Sequence, residues 1–180
     1  METKTITLYT KRLILRRITI DDAPAMFKNW ANDDEVTKYL NWQTHKNINV
    51  TRDIINTWVH QYHIDYFFQW VIEHIDNNDI IGTISLFNYK NDSLEIGYCI
   101  AKKYWNQGLT TEACRAVLDF AFNKVGVYKV YSRHIRENIA SGKVMQKNNM
   151  TYIGTIQEFN PSKNKREYMS RYEINREDFN

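Results

Sequence analysis

Hydrophobic and polar positions alternate with two different spacings between residues 94 and 125. Residues 94–100 (LEIGYCI) form a largely apolar run that is typical of a strand, and a polar turn follows at 106–108. Beyond the turn, apolar side chains recur at helical spacing: Cys114, Val117, Leu118, Ala121, Phe122 and Val125. The segment therefore predicts a strand, a polar turn and a helix, with Gly126 ending the helix.

Six further β-prone runs predict the other strands of a sheet. They lie at residues 12–16, 67–75, 80–89, 127–135, 152–158 and 167–174. The turn-forming cluster 76–79 predicts an antiparallel hairpin, and the central helix predicts a parallel crossover between the strands on either side of it.

Helical signals fill the remaining segments. N-cap chemistry at Thr19 to Asp22 starts a helix that we expect to reach about Ala31, and a shorter helix is expected at 139–147. Residues 33–66 predict short helices joined by a polar loop at 41–49. We therefore expect one domain spanning residues 1–180, with a mixed α/β fold.

Composition and charge narrow the function classes. The 180 residues include 24 Lys and Arg against 21 Asp and Glu, a balance that does not predict a nucleic-acid or membrane partner. The N-terminal segment lacks the apolar core of a signal peptide, and no apolar run approaches the ~20 residues of a membrane span, so we expect a cytoplasmic protein. Cys99 and Cys114 belong to no metal-binding motif and are expected to be buried thiols.

The polar turn before the central helix is the first functional candidate. A helix N-terminus presents unpaired N–H groups and the positive end of the helix dipole, which suit an anion. With Gly108 in the turn, the segment predicts a phosphate or pyrophosphate site, and a plain loop glycine is the alternative.

Four motifs in order carry a resemblance to a known family. They are residues 95–100 (EIGYCI), residues 104–113 (YWNQGLTTEA), residues 138–141 (NIAS) and the pairs Val144-Met145 and Asn149-Met150. Together they resemble the GNAT superfamily of acetyl-CoA-dependent N-acetyltransferases. Residues 10–16 (TKRLILR) and Trp105 resemble its RimJ/RimL-type branch, named for enzymes that acetylate ribosomal-protein N-termini.

The resemblance implies a fold and a cofactor. The fold would be a central mixed sheet of six to seven strands flanked by helices, with central strands that splay to form an acetyl-CoA cleft. The residues expected to bind the cofactor are Cys99, Ile100 and Ala101 for the pantetheine arm, Asn106, Gln107, Gly108, Leu109, Thr110 and Thr111 for the pyrophosphate, and Asn138 and Ser141 for the arm or the sulfur. No metal is expected.

Catalytic roles are also expected from the resemblance. Glu95 is the candidate general base, and a strand N–H near Ile100 would hold the oxyanion. Many family members have a tyrosine acid at the position of Met145, so that acid is not carried over, and Tyr104 or Ser141 would assist the leaving thiol. Glu112 would repel phosphate if it faced the turn, so we expect it to point away.

Several alternatives stay open at the level of sequence. The acceptor would be a protein N-terminus or a small amine such as a polyamine, an amino acid or an aminoglycoside, and the assembly a monomer or a homodimer. A non-catalytic acyl-CoA-binding module is the competing class, and Glu95 would then be an ordinary strand residue. A nucleic-acid-binding role for the basic residues between 163 and 171 is a third reading. The aromatic residues Trp30, Tyr39, Trp42, Trp58 and Tyr66 fit a core better than a binding surface.

Overall fold

A computed structural model describes residues 2–179. Eight strands form one sheet: β1 (Leu8–Tyr9), β2 (Leu13–Arg16), β3 (Phe68–His74), β4 (Ile80–Lys90), β5 (Ser93–Ile100), β6 (Lys129–Ile135), β7 (Thr151–Asn160) and β8 (Lys165–Asn175). The spatial order is β1-β2-β3-β4-β5-β6-β8-β7. Every neighbouring pair is antiparallel except β5 and β6, which are parallel. The mixed sheet and its central parallel pair confirm the expected fold class.

Within residues 2–179, five α-helices accompany the sheet: α1 (Ala23–Met26), α2 (Asp34–Thr37), α3 (Ile48–Gln61), α4 (Leu109–Phe120) and α5 (Ile139–Lys147). Single turns of other helix types extend them, with a 3-10 turn at Ile20–Asp22 and π-helical turns at Phe27–Ala31 and Ala121–Val125. Gly126 follows the last turn at φ 87°, which confirms that it ends the central helix. Among residues 2–179, no helix has both the length and the apolar character that a membrane span requires.

The helices cover the two faces of the sheet. Helices α1 and α3 pack together, and α4 packs against α5. Alternate side chains of β3 point to opposite faces of the sheet. On one face, Trp70 meets Phe120 of α4 edge to face. On the other face, Gln69 lines a cavity together with Met26 of α1 and Trp58 of α3. The buried core includes Trp30, which is fully inaccessible to solvent.

The structure differs from the expectation at one edge of the sheet. An additional strand, β1, has two residues that pair with Leu15 and Ile14 of β2. So short a strand gives no alternation to detect in the sequence, and pairing with β2 alone defines it.

Candidate active site

The parallel pair at the centre of the sheet separates soon after it begins. Only residues 93–95 of β5 pair with 129–131 of β6. Just beyond them the Ser132 hydroxyl donates to the carbonyl of Ile96 at 2.9 Å, and the strands then diverge. This opening confirms the expected splay of the central strands.

A cavity of about 1000 Å³ includes the opening. Its walls take residues 95–99 from β5 and 132–135 from β6, together with Asn138 and Ser141 at the start of α5. The cavity continues over the α1 and α3 face of the sheet. Of the residues predicted from the sequence, Glu95, Cys99, Asn138 and Ser141 therefore share one cavity.

Backbone hydrogen bonds show which edge of β5 is available. The amide of Ala101 donates to the carbonyl of Ile81 at 2.7 Å, and the carbonyl of Ile100 accepts from the Trp105 indole at 2.9 Å. Because backbone groups alternate along a strand, Tyr98 and Ile100 direct their N–H groups to the β6 side, while Cys99 and Ala101 direct theirs to β4. An extended ligand in the opening would thus meet the backbone of Tyr98 and Ile100.

The turn before α4 has the features of an anion site. Asn106 and Gly108 adopt positive φ angles of 60° and 76°. Gly108 is the N-cap residue of α4, and no side chain caps this helix start. The first helical hydrogen bond in this turn runs from the amide of Glu112 to the carbonyl of Gly108, which leaves the amides of residues 109–111 without intrahelical partners.

Arg12 contributes to this turn, a role that sequence reasoning did not detect. Its guanidinium donates to the carbonyl of Gln107 at 2.9 Å, and its Nη2 lies 3.6 Å from the position a Cβ would take on Gly108. Arg12 lies far away in the sequence, and the alternating pattern around it indicated only a strand. A basic residue directly before a strand carries no local signal for contact with a distant turn.

Glu112 is fixed beside Arg12. Its carboxylate accepts from the Thr10 hydroxyl at 2.7 Å and from the Arg12 amide and Nε at 2.8 and 2.7 Å. Burial by itself would raise the pKa of Glu112, but these hydrogen bonds outweigh it and the pKa is lowered. The acid is thus ionised and directed towards residues 10–12, as expected for a side chain that does not face an anion in the turn.

Glu95 is held where the opening begins, as the last β5 residue that pairs with β6. The residue is 5% exposed, its Oε1 accepts from Arg133 Nε at 3.0 Å, and its Oε2 accepts from Asn88 Nδ2 at 2.9 Å. Arg133 also pairs with Glu158. Burial alone would lower the pKa of Arg133, but the two carboxylates outweigh it and the pKa is raised.

The other two catalytic candidates lie in different surroundings. Ser141 lines the cavity, and its hydroxyl donates to the hydroxyl of Tyr98 at 3.1 Å. The hydroxyl of Tyr104 instead donates to Asp79 and accepts from Asn77 at the turn between β3 and β4, away from the cavity walls. The structure therefore brings Ser141 to Glu95's cavity and does not bring Tyr104 there.

The opposite end of the cavity is aromatic and carries carboxylates. Its walls include Tyr39, Trp42, Trp58, Tyr66, Phe67, Phe87, Tyr89 and Phe159. Trp30 belongs to the core as expected, and Trp42, Trp58 and Tyr66 pack against that core with one side while also lining the cavity. Tyr39 lines the cavity without belonging to the core cluster. Their spacing gave no sign of this, because a cavity wall and a core face have the same apolar pattern.

His134 also lines the cavity and was not singled out as a site residue. Its Nδ1 contacts the carbonyl of Ile135 at 2.8 Å, and within residues 2–179 its buried Nε2 has no hydrogen-bond partner. Burial lowers the pKa of His134. The imidazole is therefore neutral at pH 7, and the lone pair of its Nε2 accepts no hydrogen bond from residues 2–179.

Comparison with known proteins identifies the family. The family model described as "Acetyltransferase (GNAT) domain" matches residues 12–151. The uncharacterized N-acetyltransferase YoaA of Bacillus subtilis is 31% identical over 154 residues, which cover 84% of this chain and 86% of YoaA.

Two solved structures have the same fold at low sequence identity. One is the RimL ribosomal L7/L12 alpha-N-protein acetyltransferase in complex with coenzyme A, with a TM-score of 0.83, 18% identity, and coverage of 94% of this chain and 98% of RimL. The other is the Vibrio cholerae spermidine N-acetyltransferase in complex with CoA and spermine, with a TM-score of 0.78, 18% identity and the same coverage. The match over residues 12–151, with the splayed central strands and the uncapped helix start, shows that the chain belongs to the GNAT family of acetyltransferases.

Proposed function

We propose that this chain transfers the acetyl group of acetyl-CoA to a primary amine that enters from the aromatic end of the cavity. The observation that carries the proposal is the unpaired edge of β5, which opens into the cavity beside Glu95 and Ser141. Family membership supports acetyl transfer, and the similar RimL and spermidine acetyltransferase structures both contain coenzyme A.

The residues present fit such a cofactor. The amides of residues 109–111 and the guanidinium of Arg12 supply hydrogen-bond donors and positive charge for a pyrophosphate. An extended pantetheine arm would pair with the backbone of Tyr98, as an added strand does, since the carbonyl of Ile100 already accepts from the Trp105 indole. Asn138 caps α5 through the amide of Ser141, and its side chain lines the same opening.

In the proposed reaction, Glu95 removes the surplus proton of the acceptor amine, directly or through water. The N–H of Ile100 would stabilise the oxyanion that forms when the amine attacks the thioester. Ser141 would donate a hydrogen bond to the departing sulfur. Arg133 keeps Glu95 oriented, and its second partner Glu158 balances part of its charge.

One class of acceptor is a protein N-terminus. The RimJ/RimL-type pattern at residues 10–16 and the similarity to RimL support it. This class requires the aromatic end of the cavity to admit an extended peptide.

A small cationic amine is the second class, and a specific observation favours it. Glu95 and Glu158 both line the cavity and share one cation, Arg133. Aromatic side chains beside carboxylates attract ammonium groups. At this end, the loop after α2 also contacts the turn between β7 and β8, with Gln43 donating to the Ser162 carbonyl at 2.7 Å.

A calorimetric titration followed by an acceptor screen tests the proposal. Binding of acetyl-CoA and CoA without binding of ATP would support the cofactor assignment, and no binding of either coenzyme would contradict it. The screen would compare spermidine with N-terminal peptides of ribosomal proteins and follow release of free thiol. Coenzyme binding with no turnover on any amine would favour the acyl-CoA-binding module.

A further inference from the structure

Tyr98 forms two hydrogen bonds to one residue across the opening between β5 and α5. The Tyr98 hydroxyl donates to the carbonyl of Ser141 at 3.0 Å, and the Ser141 hydroxyl donates to the oxygen of Tyr98 at 3.1 Å. Both residues line the cavity. Ser141 is therefore fixed at its main chain and at its side chain by a single phenol.

The first turn of α5 is placed by this pair and by Asn138. Asn138 precedes α5, and its side chain accepts weakly from the amide of Ser141 at 3.4 Å. Gly142 follows, at a point where a Cβ would approach His134 Nε2 to 2.9 Å and the Tyr172 hydroxyl to 3.2 Å. Close contact on one side and two hydrogen bonds on the other leave Ser141 little freedom to move.

We propose that Tyr98 is a positioning residue for acetyl transfer, because it holds the Ser141 hydroxyl where that hydroxyl stabilises the sulfur of the leaving coenzyme. This inference rests on the proposed function. Met145 on the same helix is buried and carries a thioether, which cannot donate a proton. Ser141 is thus the hydroxyl on α5 that lines the cavity.

The step balances as follows. The amine nitrogen forms a bond to the acetyl carbon, its surplus proton passes to Glu95, and the carbon–sulfur bond breaks with its electron pair on sulfur. The Ser141 hydroxyl turns from Tyr98 to donate to the thiolate, which afterwards takes a proton from water, and Glu95 returns its proton to the hydroxide that this leaves. Tyr98 keeps its own proton on the Ser141 carbonyl throughout, so that the helix does not shift.

Burial supports a positioning role and argues against proton donation by Tyr98. It raises the pKa of the phenol well above the ordinary value. A phenol that holds its proton so firmly is a poor acid but a dependable hydrogen-bond donor.

The test compares four variants with the native protein in steady-state acetyl transfer. Tyr98→Phe and Ser141→Ala should each lower kcat about tenfold and leave KM for acetyl-CoA within about twofold, since a single neutral hydrogen bond in the transition state is removed. The double variant should be no slower than either single variant, because the two residues act as one unit. Ser141→Thr keeps a hydroxyl and should recover most of the rate.

Tyr172→Phe is the matched control, since it also loses a phenolic hydroxyl beside Gly142 but has no contact with Ser141 in the hydrogen-bond network of residues 2–179. It should retain the native kcat. Thermal melts would identify any variant that is unfolded, and Ser141→Ala tests the idea independently if Tyr98→Phe fails to fold.

The outcomes separate the inference from the function on which it rests. If the native protein is active and Tyr98→Phe has the same kcat, the role of Tyr98 is overturned and acetyl transfer is not. The same holds if the losses of the two single variants multiply in the double variant. A native protein without turnover on any amine would overturn both.

Discussion

The proposed cofactor site comes mainly from one stretch, residues 97–141, to which Arg12 is added, whereas the acceptor half of the cavity draws its walls from separated segments between residues 26 and 169. The first half relies on backbone groups: an unpaired strand edge and the free amides at the start of α4. The second half relies on side chains, mostly aromatic rings and carboxylates. Backbone chemistry is insensitive to residue type, whereas side-chain contacts depend on it, so we expect the acceptor half to set the specificity for the amine.

The sharpest test of the cofactor half is Gly108→Glu. The substitution adds bulk and negative charge where the pyrophosphate would lie, at a φ of 76°. We expect the affinity for CoA to fall by about 100-fold or more in a calorimetric titration. Gly108→Asn is the control, since asparagine tolerates positive φ without charge, and it should bind within about tenfold of the native protein. Native affinity in Gly108→Glu would refute the phosphate-turn assignment.

The residue between the two halves is tested by Glu95→Gln. Loss of the base should lower kcat about 100-fold, while the affinity for acetyl-CoA stays the same because the carboxylate binds Arg133 and Asn88 and no residue expected to hold the cofactor. Glu173→Gln removes a strand carboxylate that pairs with Lys129, and its kcat should stay near the native value. Equal turnover in Glu95→Gln and the native protein would place the base elsewhere.

The acceptor half is tested by Trp42→Ala. Removing this ring from the cavity wall should raise KM for the amine about tenfold and leave CoA affinity unchanged. Trp30→Ala provides the contrast, because Trp30 is fully buried and its loss should cost about 3 to 5 kcal/mol of unfolding free energy. A change in CoA affinity without a change in amine KM for Trp42→Ala would show that the halves are assigned in reverse.

The smallest expected effect is the dependence of the free energy of unfolding on pH. Burial lowers the pKa of His45 and His134 from the ordinary value of 6.5, so each binds a proton more readily in the unfolded chain than in the folded one. Stability is therefore retained above pH 6.5 and falls as the pH drops below it. We expect the free energy of urea unfolding to be lower at pH 5.5 than at pH 7.5, with a smaller decrease in His134→Asn. An increase in stability over this range would contradict the burial argument.

Local patterns were sufficient for much of the fold. The 3.6-residue spacing gave α4, the Gly126 signal gave its end, and β-prone runs gave seven of the eight strands of residues 2–179. The run Ile139–Lys147 coincides with α5. These features follow from interactions between residues close together in the chain, so they are visible in the sequence.

Parts of the site were not visible because they depend on distant contacts. Arg12 reaches the turn at Gly108 across 96 positions of sequence, and Tyr98 meets Ser141 only because β5 and α5 face one opening. Tyr104 was expected near the thioester, but the hairpin turn at Asp79 binds its hydroxyl. No periodicity in the sequence indicates such contacts between distant residues.

By itself, the sequence determined the order of strands and helices, the helix start that presents free amides, and the motif residues that placed the chain in its family. Tertiary structure alone decided which backbone edge of β5 stays unpaired, which aromatic residues line a cavity instead of the core, and which partner fixes Glu95 and Ser141. The reason is physical: local propensities act within a few residues, whereas a cavity exists only where surfaces from remote segments fail to close against each other.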